Sequence, residues 1–244
     1  ILALGAVSAA SCVFAANPAS SSTNAINAGN VKHLTTGVDT DTDKNTATYK
    51  DKSAITIWDS SVKGEKFANN KPVAFAKMDK VANNPAVKLL APGVVGKDRN
   101  GVTVANLYRM TGAWHLIPRM PDHSKLGRLS YAQVGNLDVY FGDWSNVAPG
   151  AAVGTKGTNY TAFYSGTGRT TNLPTTGTAT YTVKGINQYH TQNTALLNGT
   201  LKADFGKRTL NGEMNRTGLN VAINNATINT AQASFSGKAT ANKV

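Results

Sequence analysis

Cysteine is almost missing: the 244 residues include one, Cys12. A chain with a single thiol closes no internal disulfide and offers no thiolate metal site. Its stability therefore rests on burial and strand pairing. Carboxylates are scarce as well, 13 Asp plus Glu against 25 Lys plus Arg. There is no nucleophile elbow, no His-Glu-x-x-His zinc motif, no Gly-rich phosphate loop and no pair of Cys ligands. Nothing in the sequence points to catalysis, so the chain is not expected to be an enzyme.

Long apolar runs and basic blocks are also lacking. The one apolar run, at the N-terminus, falls short of the roughly 20 residues a membrane helix needs. The net charge is +12, but its cations are scattered rather than clustered with aromatics. That pattern reads as a solvated basic surface and speaks against nucleic-acid binding. With 41% hydrophobic and 16% charged residues, the chain has the composition of a globular protein.

The opening residues, Ile1-Leu2-Ala3-Leu4-Gly5-Ala6-Val7, lead through small residues to Cys12-Val13-Phe14-Ala15-Ala16. Residues 1–16 read as the apolar core and cleavage region of an export signal whose basic start is absent. Cleavage after Ala15 or Ala16 releases a secreted protein. Cys12, preceded by Ala10-Ser11, is an alternative lipid attachment site that would make a surface lipoprotein. Ala9 stands there in place of the usual Leu.

Residues 17–50 are polar and turn-rich. Asp39-Thr40-Asp41-Thr42-Asp43 has the alternating carboxylates of a calcium loop but lacks its Gly and closing Glu, so it reads as a solvated loop. Ser53 to Trp58 reads as a strand. Pro72 to Met78 fits a strand or a short helix. Asn100-Gly101 predicts a hairpin with a type I′ turn. Ala105 to His115 continues as strand-like sequence. Pro118, Pro121 and Asp122 then punctuate the chain, which places a domain boundary near Ser124.

Beyond it, short alternating segments recur between Gly, Asn and Thr. Examples are Leu137 to Phe141, Tyr160 to Tyr164, Ala179 to Val183, Gly199 to Phe205 and Leu219 to Ile223. Many short strands at such intervals predict a sandwich or barrel. The expected fold is mainly β: a small N-terminal ligand-binding handle domain (17–124) and a C-terminal antiparallel β-barrel (125–244).

Gly177-Thr178-Ala179-Thr180-Tyr181, Leu201 to Gly212 and Ala233-Ser234-Phe235-Ser236-Gly237 resemble the C-terminal barrel of transferrin-binding protein B. In that barrel an Asp-Phe pair ends one strand and a short turn leads into a Leu-x-Gly strand. Here Leu201, Ala203 and Phe205 share one face, with Lys202 and Asp204 on the other. One barrel behind a small leading region resembles the hemophilins, soluble haemophores exported by Slam-type translocators. The resemblance implies haem b held by the N-terminal region, an outer-membrane haem receptor as partner, iron acquisition as purpose, and a monomer.

Haem needs an axial ligand, apolar walls and donors for two propionates. With the resemblance granted, His115 has the best surroundings: Tyr108, Met110 and Trp114 on one side, Arg109 and Arg119 in flank. Its ordinary alternative is a hydrogen-bonded His at a strand end. His33, beside Val31 and Leu34, is the second expected axial ligand, with a surface-loop His as the equal alternative. His123, after Pro121-Asp122, is a reserve ligand in a turn. His190 is expected on the surface of the barrel half. Lys125 and Arg128 suit propionates or plain surface charge. The alternative function is a surface-exposed protein that binds a host iron carrier or complement factor through the barrel.

Overall fold

A computed structural model of the chain describes residues 3–7, 14–15, 19–22, 32–40, 47–59, 71–110 and 122–243. Three short strands come first: β1 (Ala3–Val7), β2 (Phe14–Ala15) and β3 (Ala19–Ser22). β4 (Lys32–Val38) and β5 (Ser53–Asp59) pair as a hairpin, extended by β6 (Val73–Ala74). Helices α1 (Phe75–Asn83) and α2 (Pro85–Leu90) follow. Next are β7 (Val95–Lys97), β8 (Thr103–Asn106), β9 (Arg128–Gln133), β10 (Val139–Asn146), β11 (Thr158–Gly166) and β12 (Arg169–Thr170). The last are β13 (Thr178–Ile186), β14 (Leu197–Asp204), β15 (Thr209–Arg216), β16 (Leu219–Asn229), β17 (Ser234–Ser236) and β18 (Ala239–Asn242).

The first large sheet runs β3-β11-β10-β9-β8-β7, antiparallel throughout. It crosses Ser124 without a break, because Thr103 to Asn106 pair with Tyr131 to Arg128. The strands built on Leu137 to Phe141 and Tyr160 to Tyr164 therefore belong to this sheet rather than to a barrel that follows it. Alternation records that one face of a strand is buried, not which sheet buries it. Phe75, Met78 and Ala82 line one stripe of α1 and are buried. Phe75 stacks on Tyr140 with centroids 4.7 Å apart and meets Tyr131 edge-on at 4.9 Å. Asn84 caps α2 by accepting from Ala86 N–H at 2.9 Å, with Pro85 in the first turn.

The second sheet runs β1-β13-β14-β15-β16-β17, with β18 also on β16. Its first member, β1, lies in the segment that reads as an export signal; its backbone pairs from Ala3 opposite Ile186 to Val7 opposite Thr182. Leu201 and Ala203 are each 2% exposed, so the expected inner face is confirmed. The sheet curls into a half-barrel; among the described residues it does not close. Its concave side holds an apolar cup of about 260 Å³ lined by Leu173, Tyr181, Leu201, Phe205, Leu210 and Phe235, among others.

Two local expectations change. Asp98 to Val102 do form a hairpin turn, but only Gly101 carries a positive φ, +78°. Gly101 N–H reaches Asp98 C=O and Asp98 N–H reaches Val102 C=O, a type I turn closed by a glycine bulge instead of type I′. The strand expected to run to His115 ends at Asn106. Leu107–Arg109 wind into a 3-10 turn instead, because Tyr108 N–H is drawn to Gly127 C=O at 3.0 Å. Pro72 to Met78, open between strand and helix, splits into β6 and the start of α1. No helix among the described residues is long and apolar enough to cross a membrane.

Candidate functional site

The residues that flank 111–121 meet: His123 N–H donates to Met110 C=O at 2.8 Å. Ser124 N–H then donates to Asp122 Oδ1 at 2.8 Å, and Leu126 N–H to His123 C=O at 2.8 Å. A polar residue directly before a helix-like turn closes this way because its short carboxylate reaches the backbone two residues on. Met110 and Leu126 are buried in the main core together with Leu34 of β4 and Ile55 and Ile57 of β5. The β4–β5 hairpin and the stem of the segment thus stand on one apolar floor.

His115, Trp114 and Arg119 lie outside the described residues. His33 sits in β4, its backbone opposite Trp58 of β5. Trp58 is 37% exposed, the most open aromatic of that hairpin. Tyr108 and Met110 are both buried at the stem. Tyr108 donates its hydroxyl to Ala152 C=O at 2.9 Å and lies under Arg128, whose guanidinium carbon is 5.5 Å from the ring centroid. His123 is fully buried in the turn the prolines and Asp122 predicted. His190 is half-buried in the loop after β13, with Nδ1 at 3.0 Å from Gln188 C=O and 3.2 Å from Thr194 Oγ1. Asp39 is buried too, and its Oδ2 accepts from Ala74 N–H at 3.1 Å.

Two arginines at the stem have spare donors. Arg109 extends Nη1 to Ala151 C=O at 3.4 Å, while among the described residues its buried Nε has no acceptor. Arg128, a propionate candidate from sequence, is wholly buried. It gives Nε to Asn106 Oδ1 at 2.8 Å and Nη2 to Thr155 C=O at 2.7 Å. It therefore braces the stem from within and faces no solvent.

Sequence reasoning misses a second polar centre, where the two sheets join. Tyr189 is fully buried among Val102, Val134, Phe141, Ala162 and Ile186, drawn from both sheets. Its N–H donates to Asp143 Oδ2 at 3.0 Å, and its hydroxyl donates to Asp98 and accepts from Asn100. Burial pushes the Asp143 carboxyl up to about 7, against the N–H groups of Tyr189 and Gln188 and the charges of Arg128 and Arg216. Burial also raises the Tyr189 hydroxyl, helped by Asp98. No local signal marks Asp143, since its burial depends on a loop some forty residues away.

Compared with known families, residues 19–158 match the profile of the HphA N-terminal heme-binding domain. Residues 171–244 match the profile of the HphA C-terminal domain. The first match ends where β11 begins and the second starts just after β12, so most of β11, the last strand of the first sheet in chain order, lies between them.

Proposed function

Because the chain belongs to the HphA, or hemophilin, family of haem-binding proteins, we propose that it is a secreted bacterial haemophore that carries haem b between two axial histidines and yields it to an outer-membrane receptor. The observation that carries this reading is the match of residues 19–158 to a heme-binding domain. The residues at the stem suit such a cargo. Arg109 Nε, buried and without an acceptor among the described residues, is a donor for a carboxylate two residues before the segment that bears His115. Bound haem supplies an iron whose two axial positions imidazoles fill.

In this reading His115 and His33 would ligate the iron, with His123 in reserve. Trp114 and Met110 would supply apolar contacts to the ring, and Arg119 and Arg109 would pair with the propionates. Tyr108 acts from beneath, fixing Met110 and Arg109 through its hold on Ala152. Two imidazoles leave the iron no open position, which suits carriage rather than oxygen chemistry. Export through a Slam-type translocator belongs to the same proposal.

Titration of the purified protein with hemin tests it. The expected result is a Soret band that saturates at one haem per chain, with the visible bands of low-spin, six-coordinate iron. A five-coordinate spectrum removes the second imidazole from the proposal, and no Soret band removes the proposal itself. Tyr108→Phe separates support from contact. It is expected to cost about 1 kcal/mol of stability for the lost hydrogen bond, seen as a melting temperature lower by about 2–4 °C. The Soret maximum should stay where it was.

A further inference from the structure

Helix α2 turns its apolar side chains to water. Leu89 is 78% and Leu90 51% exposed, and no residue of the helix is buried. Val153, 52% exposed, joins them: a Cβ placed on Gly93, just past Leu90, would stand 2.8 Å from a Val153 methyl. These exposed apolar side chains lie on α2 and beside the turn that follows it, and together make up the tip. A pair of adjacent leucines held out by a folded, capped helix is not a chance exposure of a loop side chain.

The stretch of chain that carries the tip is rich in cations. Between residues 71 and 110 the chain carries Lys71, Lys77, Lys80, Lys88, Lys97, Arg99 and Arg109 against only Asp79 and Asp98. Both carboxylates are engaged inward. Asp79 accepts from Thr103 Oγ1 at 2.8 Å and from the Tyr131 hydroxyl at 2.9 Å. Asp98 accepts from the Tyr189 hydroxyl and from the N–H groups of Asn100 and Val102. Lys88, in the last turn of α2, and Lys80, in the last turn of α1 just before it, are both exposed.

We propose that α2 and the turn after it form a lipid-docking tip, which seats Leu89 and Leu90 among the acyl chains of an anionic bilayer surface while Lys80 and Lys88 meet its phosphates. Leucine with lysine is the pairing that membrane-surface helices use. Protein interfaces favour Trp, Tyr and Arg at their centres and are poor in Lys, and the tip has no aromatic residue. Such contact would confine the carrier to two dimensions beside the membrane.

Co-sedimentation with vesicles tests this, using phosphatidylglycerol–phosphatidylethanolamine vesicles beside pure phosphatidylcholine ones, with haem-free and hemin-loaded protein. The wild type should pellet with the anionic vesicles, less so as salt is raised, and should leave phosphatidylcholine unbound. Leu89→Asp with Leu90→Asp should weaken the partitioning at least tenfold, and Lys80→Glu with Lys88→Glu should do so without touching the leucines. Failure to bind anionic vesicles overturns the proposal, as does binding that neither double variant weakens. Variants that bind vesicles normally yet lose haem transfer to cells would assign the tip to a protein partner, which also overturns it. The hemin titration is independent of lipid, so an intact Soret band with no vesicle binding sinks the docking tip alone.

Discussion

His115→Ala should strip the haem-loaded protein of its six-coordinate spectrum and weaken hemin binding by more than tenfold. A hydrogen-bond partner of a metal ligand, when removed, already costs about 10–100-fold in affinity, and a direct ligand costs more. His33→Ala should act differently. It leaves one imidazole and the walls of the site, so the expected product is five-coordinate iron with a smaller loss of affinity. His123→Ala tests the reserve ligand. The residue is wholly buried, so its loss should lower the melting temperature, and with His115 and His33 on the iron the haem spectrum of the folded protein should stay unchanged. Equal spectra for all three variants would mean that none of these imidazoles reaches the iron.

Between pH 5 and pH 8 the wild type should lose about 2–3 kcal/mol of stability relative to Asp143→Asn, read as a gap of about 5–10 °C in melting temperature. Burial raises the Asp143 carboxyl to about 7 in the folded protein, from an ordinary value of 3.8. A raised value means that the folded state keeps a proton the unfolded chain has given up. The stability this brings is complete below the ordinary carboxylate range and is lost as pH climbs through 7. Arg128 and Arg216 oppose the shift, and burial raises the Tyr160 hydroxyl, with the Asp143 charge adding to it. Asparagine keeps an acceptor for Tyr189 N–H and has no proton to lose, so its curve should be flat over this window. Parallel curves for the two proteins would place the titration elsewhere.

Much of the architecture was legible because burial leaves a period in the sequence. Ser53 to Trp58, Tyr160 to Tyr164 and Leu219 to Ile223 each fall inside an observed strand. The Leu201–Phe205 face was readable for the same reason. What alternation cannot encode is partnership, so β10 and β11 were assigned to the wrong side of a boundary at Ser124. Nor can it count the strands a barrel needs; among the described residues the expected antiparallel barrel curls as a half-barrel. Asn100-Gly101 announced a hairpin, yet the turn type depended on Asp98 folding back to two N–H groups. At the site, His33, Tyr108 and Met110 were nominated because the family resemblance implied haem and their neighbours suited it. Arg128 was nominated for the surface and sits in the core, because Asn106, Tyr108 and Thr155 together offer it a polar nest that no single stretch reveals. Asp143 and Tyr189 were invisible for the same reason.

The hydrogen bond between Met110 and His123 closes the 111–121 segment at its base. Even a doubling of the chain between two points held in this way adds only about 0.6 kcal/mol of closure cost. Insertions between Met110 and His123 should therefore cost little, and the strands on either side should keep their register.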